Sequence, residues 1–349
     1  MTLCDTEMVF KRTHCADMNP RPSDPAISLI ARSPGLDAQA VDVVVTMPTF
    51  RRPKQVLETL ASLERQRTHR RFAVIVMEND ADGREGVAAA APWFETGRIP
   101  GLLIIAHDRG NCSAYNAGWL TALIHFPAFR HLLVIDDDEI ADPDWLERMC
   151  AASETLPADI VGGPQVPVFD NPAHQAWENH PVFSPPYQTS GRVPALYSSG
   201  NLLIGRHVLE KMGSPFLDLR FNFMGGGDSD FLSRSAAAGF RLGWCAEAPV
   251  YEAVPERRVE ADWIRARALR NGVISTLVEK RKRTAEPFGR AKVLARSLAL
   301  LGASPLRAAA RYARTGSASV ALYPVYVALG RVGAEFGYAN EQYRTPEKN

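Results

Sequence analysis

The sequence has no Cys-x-x-Cys pair, no apolar run of about 18 residues and no marked excess of charge of either sign. Its five cysteines, Cys4, Cys15, Cys112, Cys150 and Cys245, are odd in number and widely spaced. That argues against a disulfide framework or a zinc knuckle and suits a reducing, cytoplasmic setting. Residues 1–20 mix Cys, Asp, Glu, Lys, Arg and His and lack the basic-then-apolar order of a signal peptide. With 40 basic and 39 acidic residues the net charge is +1, so no nucleic-acid partner is expected. Internal repeats and low-complexity tracts are also missing.

What is present is ordinary globular composition, 46% apolar and 23% charged over 349 residues. The length suits one large domain, or one domain with an appended region. Residues 1–40 show no periodicity and contain Pro20, Pro22, Pro25 and Pro34, which predicts a flexible N-terminal arm. From Val41 onward, short β-branched runs at 43–47, 72–77, 102–106 and 132–135 alternate with helical patterns at 54–66 and 113–125. This is the pattern of an α/β domain with a largely parallel sheet. Short strands at 161 and 202–204 flank a long Pro- and aromatic-rich stretch, 164–197, of a length that is usually functional or contains small elements of its own. A helix is expected over 228–238 and a strand over 241–244. Residues 257–314 carry fifteen Lys or Arg against four Asp or Glu, and residues 320–338 are mostly small, apolar and aromatic. Two readings of this end stay open: a segment on an anionic membrane surface, or a solvated helical cap on the α/β domain.

The sharpest chemical feature is Asp136-Asp137-Asp138-Glu139, directly after an apolar strand. In open α/β sheets ligands bind at the carboxyl ends of strands. Carboxylates crowded there call for a cation, and Mg²⁺ or Mn²⁺ suits such hard oxygen ligands; a solvated acidic turn is the plainer alternative. The first strand ends in Pro48-Thr49-Phe50-Arg51-Arg52-Pro53, a loop whose arginines can hold phosphates. The second ends in Glu78-Asn79-Asp80. A third loop, Asp108 to Gly118, has turn glycines and asparagines, Asn116 among them, ahead of and within a helix. Phe223-Met224-Gly225-Gly226-Gly227-Asp228-Ser229-Asp230 lets backbone approach a ligand closely and sets Asp228 at a helix start, where it can act as a base or as an N-cap.

These segments, with Ser198-Ser199-Gly200-Asn201 and Val250-Tyr251-Glu252, occur in an order that resembles the inverting glycosyltransferases of family 2. Among these, the closest likeness is to the succinoglycan-type exopolysaccharide glucosyltransferases of bacteria. The resemblance covers about residues 41–275. It implies a GT-A fold, a Rossmann-like mixed sheet, with the arm at 1–40 before it and a basic, amphipathic helical region at 276–349 after it. It implies a nucleotide-diphosphate sugar donor, expected to be a UDP-sugar, a glycan or polyprenyl-linked acceptor, and a divalent Mn²⁺ or Mg²⁺. By position, Asp136 and Asp137 fall on the donor, and Asp138, Asp136 and Glu252 on the metal. Pro48, Thr49, Arg51, Glu78, Asn116, Arg267 and Arg270 fall on the donor as well. Asp228 takes the place of the general base, with Gly226, Gly227 and Asp230 toward the acceptor. The chain departs from the family in having Glu78 for the usual Asp, Gly227 for the usual Glu, and no Gln-x-x-Arg-Trp, which disfavours a processive synthase. The implied setting is cytoplasmic, on the inner face of the plasma membrane if the basic region binds lipid. Two rivals are a sugar-nucleotide pyrophosphorylase, which would show a Gly-rich first loop followed by lysine, and a non-catalytic sugar-nucleotide-binding subunit.

Overall fold

The computed structural model describes residues 26–338. The chain opens with β1 (Ile27–Arg32), β2 (Val43–Thr49), α1 (Pro53–Glu64), β3 (Phe72–Glu78), α2 (Glu85–Glu95), β4 (Gly101–Ala106), α3 (Asn111–His125) and β5 (His131–Ile135). It continues through β6 (Glu139–Ala141), α4 (Trp145–Thr155), β7 (Ile160–Gly162), β8 (Gln165–Phe169), β9 (Gly191–Arg192), β10 (Asn201–Gly205) and α5 (Arg206–Met212). Then come α6 (Gly227–Ala237), β11 (Leu242–Trp244), β12 (Val250–Val254), α7 (Ala261–Lys282), α8 (Gly289–Thr315) and α9 (Ala318–Glu335).

Nine strands form one mixed sheet in the order β1-β4-β3-β2-β5-β10-β7-β11-β9. Its centre, β4-β3-β2-β5, is parallel, while β10 runs antiparallel to both β5 and β7. The central strands are apolar on both faces because helices cover both. Along β2, Val43, Val45 and Met47 pack with Leu60, Leu63, Phe94 and Trp145 on one side. Val44 turns to the other side, where Tyr115, Trp119, Phe126 and Phe231 gather. This is the mixed α/β fold class expected, with a helical C-terminal region.

The N-terminal expectation needs correction over part of its length. Residues 1–25 of the expected arm lie outside the described residues, but 27–32 form β1, an edge strand antiparallel to β4 from Ile27↔Ala106 to Arg32↔Leu102. Pro34 follows this strand without interrupting its ladder, which an edge position allows.

A second, three-stranded sheet, β6-β12-β8, sits over the carboxyl end of β5. Its register sets Glu252 opposite Glu139. At the C-terminal end, the expected division at 275/276 falls inside α7, which is continuous and packs against α6 and α9. The backbones of α7 and α9 approach closely at two glycines. A Cβ at Gly272 would lie 2.1 Å from the Val327 carbonyl oxygen, and one at Gly330 would lie 2.0 Å from that of Leu269.

Candidate active site

A cavity of about 1190 Å³ opens at the carboxyl ends of β2, β3 and β5 and extends toward α7. Its floor is the acidic turn between β5 and β6. The Thr49 hydroxyl donates to Asp137 at 2.8 Å. Arg52 Nη1 donates to Asp137 at 2.9 Å and to Asp138 at 2.8 Å. Arg258 lies 3.6 Å from Asp138 and 2.5 Å from Glu252. The Tyr115 hydroxyl, from α3, donates to Asp136. Glu139 folds back under the turn, accepting from the Asp136 amide at 2.8 Å and from Gln165 at 2.5 Å.

Five carboxylates therefore gather around two guanidinium groups, and the electrostatics follow. Burial pushes the Asp136 carboxyl up to about 7, and the charge of Asp138 adds to it. Burial also lifts Asp137, to about 6, against the pull of Arg52. Glu139 is driven well above the usual carboxylate range by burial and then by Asp136. For Arg52, burial opposes the charge, but Asp137 and Asp138 outweigh it and hold the proton more firmly than usual. The cluster keeps an excess of negative charge that more positive charge would relieve.

Asp228 approaches the same cavity from the other side. Gly225 and Gly226 adopt φ of 78° and 94°, which only glycine takes without strain. They turn the chain into α6, whose N-cap is Gly226. Asp228 is thus within the first turn and is not the cap. Its Oδ1 accepts from the Ser229 amide at 2.7 Å, and the Ser199 amide also faces it. Burial raises its proton affinity, with Arg267 acting in the opposite sense. The Ser199 side chain in turn bonds Tyr115, so Asp228, Ser199, Tyr115 and Asp136 form one connected chain of polar groups.

The expected site residues divide. Pro48, Thr49, Arg51, Asp136, Asp137, Asp138, Gly226, Asp228, Glu252, Arg267 and Arg270 line the cavity. Glu78 does not. It is fully buried and accepts from the amides of Asp80 (2.9 Å), Gly86 (2.8 Å) and Val87 (3.3 Å), tying the end of β3 to the start of α2. Asn116 is also structural: its amide exchanges two hydrogen bonds with the Leu217 backbone, both at 2.8 Å. Asp230 is buried against Arg234 and Arg281, each at 2.8 Å, away from the cavity. Gly227 packs against Cys112 instead of lining the cavity. Glu252 carries the Arg258 ion pair, the plainer alternative to metal ligation.

Sequence reasoning missed Arg52, Tyr115 and Glu139 as members of the cluster, whereas Arg257 or Arg258 is the expected ion-pair partner of Glu252 in the plainer reading, a place that Arg258 takes. Arg52 and Glu139 stand in motifs already singled out. Tyr115 carries no local signal, because an aromatic on a helix reads as core.

The donor set suits a hard cation in its chemistry, since carboxylate oxygens predominate and their charge is not balanced. Among the described residues, however, no group of three or more His, Cys, Asp or Glu is arranged as a ready ligand set. Asp138 and Glu252 are engaged by arginines, so a cation here would compete with Arg52 and Arg258 for these carboxylates.

Comparison with known proteins gives an independent bearing. The family model described as "Glycosyl transferase family 2" matches residues 44–213. The succinoglycan biosynthesis protein ExoM of Rhizobium meliloti (strain 1021) is 30% identical over 244 residues, covering 67% of this chain and 74% of that protein. A crystal structure of S. aureus TarS 1-349 in complex with UDP superposes with a TM-score of 0.47 at 12% identity, over 85% of this chain and 91% of that one. A second crystal structure of S. aureus TarS 1-349 gives a TM-score of 0.49, also at 12% identity, with the same coverage of 85% and 91%.

Proposed function

The chain belongs to glycosyl transferase family 2, and from that premise we propose that it transfers a sugar, with inversion, from a nucleotide diphosphate donor to an acceptor hydroxyl. The pathway in view is the building of an exopolysaccharide or related cell-surface glycan, as the name of the R. meliloti relative suggests. A UDP-sugar is the donor to try first, and a glycan or polyprenyl-linked sugar the acceptor.

The observation that carries the reading is the convergence of Asp228 and the strand-end carboxylates on one cavity, linked through Ser199 and Tyr115. The proposed division of labour follows from position. Thr49 and Arg52 fix Asp137 and Asp138 in orientation. Arg267 and Arg270, on α7, face the cavity where a donor diphosphate would lie. Asp228 removes the acceptor proton as the acceptor oxygen bonds to the sugar's anomeric carbon and the bond to the diphosphate breaks. A carboxyl whose affinity for protons is raised by burial is better suited to that task than an exposed one. A divalent Mn²⁺ or Mg²⁺, held by Asp138 with Asp136 and Glu252, would supply charge neutralisation for the leaving diphosphate.

The test is a panel of nucleotide sugars incubated with the full chain, with and without Mn²⁺ and in excess EDTA, scored for nucleoside diphosphate release. Slow, metal-dependent release supports the reading. Release of pyrophosphate would instead indicate a pyrophosphorylase, and donor binding without turnover a non-catalytic subunit.

A further inference from the structure

Helix α8 presents its apolar arc outward, the reverse of an ordinary surface helix. Its packed side is narrow, with Gly289, Val293, Ser297 and Ser304 buried, and it lies mainly along α9. The opposite side carries Leu294, Leu298, Pro305, Leu306, Ala309 and Tyr312, all exposed. At 3.6 residues per turn these fall within an arc of about 120°, the width that a globular protein normally turns to its core. Leu306 is 78% exposed, and Phe288, just before the helix, is 83% exposed.

Arg290 borders this arc on one side and Lys292 on the other, while Arg296, Arg307, Arg311 and Arg314 fall about 80–100° beyond its edges. Between Gly289 and Thr315 the sequence has Arg290, Lys292, Arg296, Arg307, Arg311 and Arg314, and no Asp or Glu. Lys292 and Arg296 are paired with Glu286 and Glu279. Arg290, Arg307 and Arg314 have no acidic partner among the described residues. Arg307, Arg311 and Arg314 also line a shallow cavity of about 390 Å³ beside Leu306 and Pro324. Within this group Arg311 Nη1 is buried with no hydrogen-bond partner.

The charge selects the occupant. A second copy of the chain would set one cationic helix against another. A bilayer containing anionic lipid offers both complements at once: phosphates for the bordering cations and an acyl boundary for the leucines. We propose that α8 lies on an anionic lipid surface, its apolar arc in the headgroup–acyl boundary and Arg290, at the edge of that arc, on lipid phosphates. Among the described residues no helix is long and apolar enough to cross a membrane, so the contact is peripheral. The face differs from that expected of residues 320–338. Much of that segment is α9, whose Ala321, Ala328, Gly330 and Ala334 are buried, packed with α7 and α8. The proposal does not rest on the transferase chemistry, since Arg296 is the one α8 residue that lines the large cavity.

Flotation of the full chain with phosphatidylcholine vesicles, with and without phosphatidylglycerol, at low and high salt, tests it. Association is expected with the anionic vesicles at low salt, weakening as salt rises. Arg290→Glu and Leu298→Asp/Leu306→Asp are each expected to lower vesicle affinity about tenfold or more. Both should keep the wild-type melting temperature and the wild-type donor turnover in solution. No association with anionic vesicles at low salt overturns the proposal. So does equal binding to neutral vesicles, or wild-type vesicle binding by both variants. Self-association that the leucine variant abolishes, without vesicle binding by the wild type, would assign the face to a second copy and overturn it too.

Discussion

Replacing Asp136 by Asn isolates the electrostatic strain of the acidic turn. The amide is nearly isosteric, its oxygen can still accept from Tyr115, and the backbone bond to Glu139 is untouched. What disappears is a carboxyl whose pKa is raised from 3.8 to about 7, first by burial and then by Asp138. A carboxyl raised on folding favours the fold fully below its unfolded pKa, and that advantage is lost as pH rises through its folded pKa. With those two values, the charge on Asp136 costs about 2 kcal/mol more at about pH 8.5 than at about pH 5.5. Asp137, lifted to about 6 chiefly by burial, titrates in the same range.

The histidines must be kept apart from this effect. His131 and His180 are pushed down to about 4, chiefly by burial. Each therefore favours the fold above its unfolded pKa and loses that contribution as pH falls, the opposite slope. They are the same in wild type and variant, so they cancel in the difference. Thermal melts of both proteins without ligand should show Asp136→Asn gaining on wild type as pH rises. For a chain of this size the gain amounts to about 3 °C across that range. A difference that stays flat, or that shrinks toward alkaline pH, would refute the claim that the turn is self-repelling and awaits positive charge.

Other substitutions separate chemistry from structure. Asp138→Ala should leave the melt close to wild type and lower nucleotide-sugar turnover by orders of magnitude, measured as nucleoside diphosphate release; full turnover in excess EDTA would remove the metal from the account. Glu78→Gln should cost about 1–3 kcal/mol in denaturant unfolding, because an acceptor of buried backbone amides is weakened, while donor affinity by calorimetry stays near wild type. Gly272→Val should destabilise the packing of α7 on α9, seen as a lower melting temperature and earlier proteolysis after α7, since its Cβ would overlap the Val327 carbonyl.

Much of the fold was legible because the central strands are continuous apolar runs that stop at chemistry-bearing loops. β1 was not, because prolines on both sides mask a strand at an edge. In the site, Asp230 was expected toward the acceptor, but residues two apart on a helix face different ways, and the structure turns Asp230 to Arg234 and Arg281. Glu78 was misplaced for a physical reason. Its position at a strand end is visible in the sequence, but the start of α2, which captures its carboxylate, is not. The adjacent arginines Arg51 and Arg52 could not be ranked from sequence. Arg51 pairs outward with Asp80 at 2.6 Å, whereas Arg52 bridges the acidic turn. Glu252 meets Glu139 only through the register of β12 on β6, a long-range pairing with no local pattern.

The most direct test of the account is the anomeric configuration of the product, read by proton NMR, together with the behaviour of Asp228→Asn. The account predicts a product inverted at the anomeric carbon. It predicts that Asp228→Asn binds donor as wild type does and transfers the sugar about 10² times more slowly or worse, because an amide cannot take the acceptor's proton. Gly226, not Asp228, caps α6, so loss of a helix cap would not explain such a result. A product with retained configuration, or transfer by Asp228→Asn at the wild-type rate, would contradict the account.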